Sequence, residues 1–261
     1  MSAQDVRARR LARLAARVDW SRMIDPYTGE QYGPEVLAAL WATDPITADR
    51  TCQILHYTAN GDGSSVRAAA AEMLPFLVEA ARDPDVTVRF EILRTIADIA
   101  DTGNTAPSAK VDPILEGRWR PTVAPAWPAA WERVADALLP LLDDGNDLIR
   151  AGAVGALAQS AAHADTLIPR LRTCFENEPD LWMAERLVLA VGELARYAIQ
   201  RREETLAWLR FRMTVEGKGE EPDFDEDIDA WVTWDEEVRH DVRLQAAQAL
   251  RRALPDHTDP R

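Results

Sequence analysis

Residues 74–89 read Leu-Pro-Phe-Leu-Val-Glu-Ala-Ala-Arg-Asp-Pro-Asp-Val-Thr-Val-Arg, and this stretch decides the fold. A short apolar helix ends in an Asp-Pro-Asp turn, and a second helix then begins with an apolar residue and Arg89. The second helix places Ile92, Ile96 and Ile99 on one face, at the spacing of an amphipathic helix. Because helical hairpins of this kind bury their apolar faces on each other, the pattern predicts an α-solenoid.

The same pattern recurs later in the chain. Copies lie at 138–160, 167–195 and 206–254, with Arg150 and Arg243 at the position of Arg89 and Ala184 in place of that arginine. The Arg-rich, amphipathic segment 1–17 is expected to form a capping helix rather than a targeting segment. The sequence therefore predicts an all-α protein, with a single solenoid domain over 1–261 and an N-terminal capping helix.

These hairpins resemble HEAT repeats, in particular the short bacterial HEAT-like repeats of the phycobilin-lyase type. The resemblance rests on the apolar-Pro helix, the Asp-Pro-Asp turn and the Val-Arg start of the second helix, in about four to five copies between residues 33 and 254. It implies that Arg89, Arg150 and Arg243 bond to the turn of a neighbouring repeat, and that Ala184 interrupts this series. The chain as a whole also resembles actinobacterial HEAT-repeat proteins, a likeness that implies no activity.

Composition and charge exclude several classes of protein. The chain carries 44 acidic and 30 basic residues, a net charge of −14, whereas duplex binders neutralise phosphates with Lys and Arg. We therefore expect no nucleic-acid partner. No apolar run approaches the roughly 20 residues that cross a bilayer, so we expect no membrane association. Cys52 and Cys174 lie in apolar helical patterns and are expected to be free thiols, as in the cytoplasm.

The acidity is concentrated in an insertion at residues 216–233. Between residues 216 and 237 there are 11 Asp/Glu and 1 Lys, a net charge of −10 out of the total of −14. We interpret this segment as an exposed acidic loop that meets a basic partner. The residues predicted to contact the partner here are Asp223, Asp225, Asp227, Asp229, Trp231 and Trp234.

A calcium loop is an alternative interpretation of the same segment. Over 225–236, carboxylates occupy loop positions one, three, five and twelve, which are Asp225, Asp227, Asp229 and Glu236. The sixth position of such a loop is normally Gly, because the backbone turns there with a positive φ, and Ala230 stands in its place.

Two other regions supply candidate partner-binding residues. Residues 101–130 contain five prolines together with Trp119 and Trp127 and are predicted to form an irregular loop, whose tryptophans either contact a partner or cover the solenoid surface. The polar face of the helix at 88–100 carries Glu91, Arg94 and Asp98, which we also assign to the binding surface.

No constellation of an enzyme is evident in the sequence. We find no Gly-rich phosphate loop, nucleophile elbow or zinc-hydrolase motif, and we predict no catalytic residue and no cofactor. The favoured hypothesis is a cytoplasmic scaffold that binds another protein, with an inhibitor or immunity role toward a basic partner such as a nuclease toxin. The alternatives are an enzyme or lyase-like small-molecule binder that uses the concave face, and a calcium-responsive scaffold.

Overall fold

The computed structural model describes residues 3–25, 27–60, 65–105, 122–215 and 242–254. These residues are mostly helical, which confirms the all-α prediction, and the regular strands among them are one pair of two-residue segments. The chain divides into two compact units, Met1–Ser160 and Ala161–Arg261, where the sequence predicted one domain. Each unit is described by itself.

The first unit contains seven α-helices among its described residues. They are α1 (Ala3–Ala15), α2 (Pro34–Ala38), α3 (Pro45–Asn60), α4 (Ala68–Arg82), α5 (Arg89–Thr105), α6 (Trp127–Val134) and α7 (Asp147–Leu157). Short 3-10 helices lie at Trp20–Arg22, Ala39–Trp41 and Ala135–Asp143. Strands β1 (Ser65–Val66) and β2 (Thr122–Val123) pair in parallel.

Stacked helical hairpins form the core of this unit. The hairpin of α4 and α5 packs on the next hairpin, α5 against α7 and α4 against α6 and the following 3-10 helix. Ile92, Ile96 and Ile99 are fully buried in α5, as the apolar spacing predicts. The first helix of the next hairpin differs from the prediction, because residues 135–143, with Pro140 inside them, adopt 3-10 geometry.

Helix α1 forms at the predicted place and packs against α4. Its Arg7 donates from Nη2 to Asp83 Oδ1 at 2.8 Å and also pairs with Asp85, so α1 is bound to the turn between α4 and α5. Arg10 adds an ion pair with Glu79 of α4, with 2.7 Å between the charged atoms.

The irregular segment predicted over 101–130 is shorter than expected. Helix α5 continues to Thr105, β2 occupies 122–123 and α6 begins at Trp127, with Pro128 in its first turn, where a missing N–H removes no helical hydrogen bond. The remainder, 106–121, lies outside the described residues.

The second unit is built from two helix pairs. They are α8 (Ala164–Asn177) with α9 (Leu181–Ala195), and α10 (Arg202–Val215) with α11 (Val242–Ala253). Asp180 caps α9 by accepting a hydrogen bond from the backbone N–H of Met183 at 2.9 Å. Helix α9 packs against the other three, and most closely against α11, where Gly192 faces Ala249.

Candidate functional site

Most of the partner-binding residues predicted from the sequence lie outside the described residues. These are Asp223, Asp225, Asp227, Asp229, Trp231, Trp234 and Trp119, together with Glu236 of the calcium alternative. Four predicted residues are described, namely Trp127, Glu91, Arg94 and Asp98.

Trp127 belongs to the core of the first unit. Its side chain is 0% exposed, its ring stacks on Trp131 with 5.8 Å between ring centroids, and its Nε1 donates to Asn104 Oδ1 at 3.2 Å. A Cβ on Gly103 would lie 2.2 Å from the same Nε1, so the ring fills the space that this glycine leaves. The ring is therefore fully buried, which agrees with the packing role that the sequence left open for Trp127 beside partner contact.

Glu91, Arg94 and Asp98 lie together on α5, with Glu91 half-buried and the other two exposed. Helix α3 packs beside α5 and brings His56 to Asp98, with 4.0 Å between His56 Nδ1 and Asp98 Oδ2. No local sequence pattern indicates this neighbour, since 42 residues separate His56 from Asp98 (98 − 56 = 42).

Two tyrosines continue this surface away from α5. The Tyr57 ring lies edge-on to His56 at 5.7 Å, and Tyr27 lies edge-on to Tyr57 at 6.1 Å. We call the surface of Tyr27, His56, Tyr57 and Asp98 the aromatic–acidic patch. Sequence reasoning missed both tyrosines, because nothing local to residue 27 indicates that it meets α3.

The turn that presents Tyr27 is held by one carboxylate. Asp25 Oδ1 accepts from the backbone N–H groups of Tyr27 and Thr28, both at 2.7 Å, and Oδ2 accepts from the Tyr32 hydroxyl at 2.6 Å. The bond from Tyr32 is the main cause that lowers the pKa of Asp25 to about 2. Gly29, with φ of 72°, allows the chain to turn back. Asp25 therefore connects Tyr27, Thr28 and Tyr32 by hydrogen bonds beside the exposed Tyr27 ring.

A buried thiol lies along the same α3–α5 contact. Cys52 Sγ is 3.3 Å from Thr95 Oγ1, and burial raises the pKa of the thiol to about 11. A thiol with this pKa stays protonated at neutral pH, so Cys52 is a packing residue and not a nucleophile. Neither Cys52, which is buried, nor Cys174, which is half-buried, forms a disulfide.

A groove of about 270 Å³ lies between the α4–α5 turn and the start of α7. Glu91 lines it together with Phe90 and Leu148. Arg89 also lines it but is already bound, because its Nη2 lies 2.6 Å from Asp144 Oδ2 and its Nε donates to the Ala81 carbonyl at 2.8 Å. Leu148 is 47% exposed, so this part of the groove offers an apolar side chain at the surface.

In the part of the chain that the structure describes, no three His, Cys, Asp or Glu side chains come together as metal ligands. None of the described helices combines the length and the apolar character required to cross a membrane.

The chain was also compared with known proteins. No protein-family model, no curated protein and no solved structure matches it.

Proposed function

We propose that this chain is a HEAT-like helical-repeat scaffold that binds another protein through an acidic surface and catalyses no reaction. The observation that carries the repeat assignment is the ion pair between Arg89 and Asp144. It connects the second helix of one hairpin to the turn of the next, which is the contact that the HEAT resemblance implies. The pair is half-buried, with 13% and 20% of the two side chains exposed.

A second contact of the same kind supports the assignment. Arg7 of α1 binds Asp83 in the α4–α5 turn, and Trp41 Nε1 donates to the same carboxylate at 2.9 Å. Asp83 and Asp144 therefore occupy equivalent turns and each accepts an arginine from the preceding part of the array. On this proposal α1 caps a solenoid.

Arg150, at the corresponding position of the next copy, contacts the turn of its own hairpin. Its Nη1 donates to the Asp144 carbonyl at 3.1 Å and pairs with Asp147 Oδ1 at 2.8 Å, both in its own hairpin. The side chain of Arg243 lies outside the described residues.

The nature of the partner follows from charge. Residues 216–237 carry a net charge of −10 (11 acidic residues and 1 Lys), and such a segment attracts a basic surface and increases the rate of encounter. We propose an inhibitor or immunity role in the cytoplasm toward a basic protein such as a nuclease. Nucleic acid would be repelled by the same charge.

The test is to neutralise Asp223, Asp225, Asp227 and Asp229 to Asn together and to measure association with the partner captured from the native host. The expected result is slower association that depends less on salt, because screening and neutralisation remove the same attraction. The matched control neutralises four exposed acidic residues elsewhere, Asp5, Glu132, Asp136 and Glu203. The proposal fails if the segment variant associates as fast as the parent, or if both variants slow it equally.

The calcium alternative is decided by the same variant, because it removes three of the four carboxylate ligands. Calcium is titrated into parent and variant while the heat is recorded. Binding heat in the parent that is absent from the variant would favour a calcium-responsive scaffold, whereas no heat in the parent would exclude it.

A further inference from the structure

We propose that the aromatic–acidic patch of Tyr27, His56, Tyr57 and Asp98 is a contact site for a basic segment of the partner, with one guanidinium over the tyrosines and a second cation at Asp98. The inference rests on the proposed function, since it concerns the same basic partner. It adds α3, α5 and Tyr27 to the residues that take part in recognition.

The two tyrosines supply the first half of the site. Tyr27 is 71% exposed and Tyr57 is 48% exposed, although both are large rings in contact with each other. An aromatic face carries negative charge density and attracts a cation, most often the guanidinium of arginine. Tyrosine is one of the residue types that most often carry the binding energy of protein interfaces.

Asp98 supplies the second half. Its carboxylate is 51% exposed, and within the described part of the chain its ion-pair partner is His56 at 4.0 Å, which is charged only when protonated. Arg94 lies one helical turn earlier on α5, yet no ion pair joins it to Asp98. An incoming guanidinium or ammonium group can therefore form a charge-assisted hydrogen bond with this carboxylate without displacing an arginine.

The four side chains of the patch form a continuous series of contacts. The ring centroids of Tyr27 and Tyr57 are 6.1 Å apart, those of Tyr57 and His56 are 5.7 Å apart, and His56 Nδ1 lies 4.0 Å from Asp98 Oδ2. Neighbouring basic side chains of one peptide can therefore occupy both halves of the patch. The hydrogen bonds of Asp25 hold the turn that carries Tyr27 before any partner arrives. A preformed site loses less conformational entropy on binding, which favours affinity.

The experiment uses the full chain with isotope-labelled tyrosine rings and the peptide acetyl-Gly-Arg-Gly-Arg-Gly-amide as probe. The chain has 4 tyrosines, so the NMR spectrum contains its own controls. The signals of Tyr27 and Tyr57 are expected to shift in a saturable way, while those of Tyr32 and Tyr197 stay in place. A peptide with citrulline in place of arginine keeps the shape but not the charge, and it should produce no shift.

Two variants test the two halves separately. Tyr57→Leu and Asp98→Asn are each expected to weaken peptide binding about twofold to fivefold, the range for one exposed cation–π or charged contact. Asp98→Asn alters an exposed side chain and keeps the fold, so the test survives if Tyr57→Leu disturbs α3. Equal shifts with the citrulline peptide, or equal shifts at all four tyrosines, would overturn the proposal.

Repeating the titration in the chain with Asp223, Asp225, Asp227 and Asp229 changed to Asn separates this inference from the proposed function. Shifts that persist there assign the binding to the patch itself. Shifts that disappear assign it to the acidic segment and refute the patch, while leaving the proposed function standing. A further outcome is that the peptide binds the patch while the four Asp→Asn changes leave the rate of partner association unchanged. That outcome would support the patch and contradict the proposed role of the acidic segment.

Discussion

The junction of α5 with α7 in the first unit and the junction of α9 with α11 in the second show two ways to stabilise the same kind of helix packing. In both, a glycine allows close approach: a Cβ on Gly152 would lie 2.7 Å from Leu93 Cβ, and one on Gly192 would lie 2.3 Å from Ala249 Cβ. The polar contacts beside these junctions differ. The first unit uses the Arg89–Asp144 pair, whereas in the second unit a buried Ala184 stands at the arginine position.

The second unit replaces that pair with bonds to helix ends. Arg202 of α10 donates to the Ala253 carbonyl at 2.7 Å and to the Arg196 carbonyl at 3.1 Å, near the C-terminal ends of α11 and α9. Asp165 of α8 accepts the backbone N–H groups of Ile199, Gln200 and Arg201 at 3.0 to 3.3 Å. The two junctions thus share the same close apolar packing but differ in their polar contacts. Different side chains can serve here, provided that the backbone N–H and C=O groups at the helix ends find hydrogen-bond partners.

The largest expected effect is that of Gly192→Ala. The new methyl group would meet the Ala249 backbone, 2.5 Å from Cα and 2.7 Å from the carbonyl oxygen, so the helices must separate. We expect a loss of about 3 kcal/mol in the free energy of unfolding. Urea denaturation measures it, and faster hydrogen exchange in α9 and α11 locates it.

Gly155→Ala is the matched control for that substitution. A Cβ at Gly155 would lie 3.9 Å from Ala97 Cβ, an ordinary contact, and Ala favours the helix over Gly. We expect stabilisation by about 0.5–1 kcal/mol. Equal destabilisation by both changes would show that close packing is not particular to the α9–α11 junction.

Arg89→Ala is expected to have the next largest effect. The change leaves Asp144 and the Ala81 carbonyl without the arginine at a partly buried site, which should cost about 1–3 kcal/mol. A double-mutant cycle with Asp144→Asn measures the coupling between the two side chains. Zero coupling would mean that the pair does not connect the hairpins energetically. The ion pair of Arg150 with Asp147 should contribute less to stability, because Asp147 is 59% exposed.

Arg202→Met tests the polar contacts of the second unit. Methionine keeps much of the apolar stem but cannot donate to the Ala253 and Arg196 carbonyls, so we expect a loss of about 1–2 kcal/mol. Hydrogen exchange should become faster at the C-terminal end of α11 and not in α5 or α7. An unchanged unfolding midpoint would show that water replaces the arginine without cost.

The smallest expected effect is on the pH dependence of stability. Burial alone would raise the pKa of Asp144, but the hydrogen bonds from Arg89 and Asn146 have the larger effect and lower it. Burial would also raise the pKa of Asp165, but hydrogen bonds from the backbone N–H groups of residues 199–201 lower it. In the unfolded chain an aspartate has a pKa of about 3.9, and in the folded protein both carboxylates have a lower pKa. Each carboxylate therefore stabilises the fold at a pH above the unfolded pKa. This stabilisation is lost as the pH falls through the folded-state pKa.

Stability between about pH 5 and pH 2 should therefore depend less steeply on pH in Arg89→Ala than in the parent, because Asp144 loses its main donor. Asp165→Asn should remove the corresponding contribution of the second unit. Denaturation midpoints measured across this range check both, and curves parallel to that of the parent would contradict the assignment.

The sequence by itself determined those features of the fold that depend on residues a few positions apart in the chain. Apolar spacing of three and four residues placed Ile92, Ile96 and Ile99 in the core, and the Asp-Pro-Asp turn ended α4 near the expected residue. The contact of Arg89 with the next turn was available from the repeat resemblance. Proline also shaped the first helix of the following hairpin, although the 3-10 geometry around Pro140 was not expected.

Only the tertiary structure decided the candidate site. Trp127 lies in a proline-rich stretch that suggested a loop, yet it is buried because α6 begins there and packs on α4 and α5. Tyr27 and Tyr57 are 30 residues apart (57 − 27 = 30) and His56 and Asp98 are on different helices, so no local pattern relates them. The physical reason is range: periodicity and turn chemistry act over a few residues, whereas the patch exists only once the turn at 25–30, α3 and α5 have packed together.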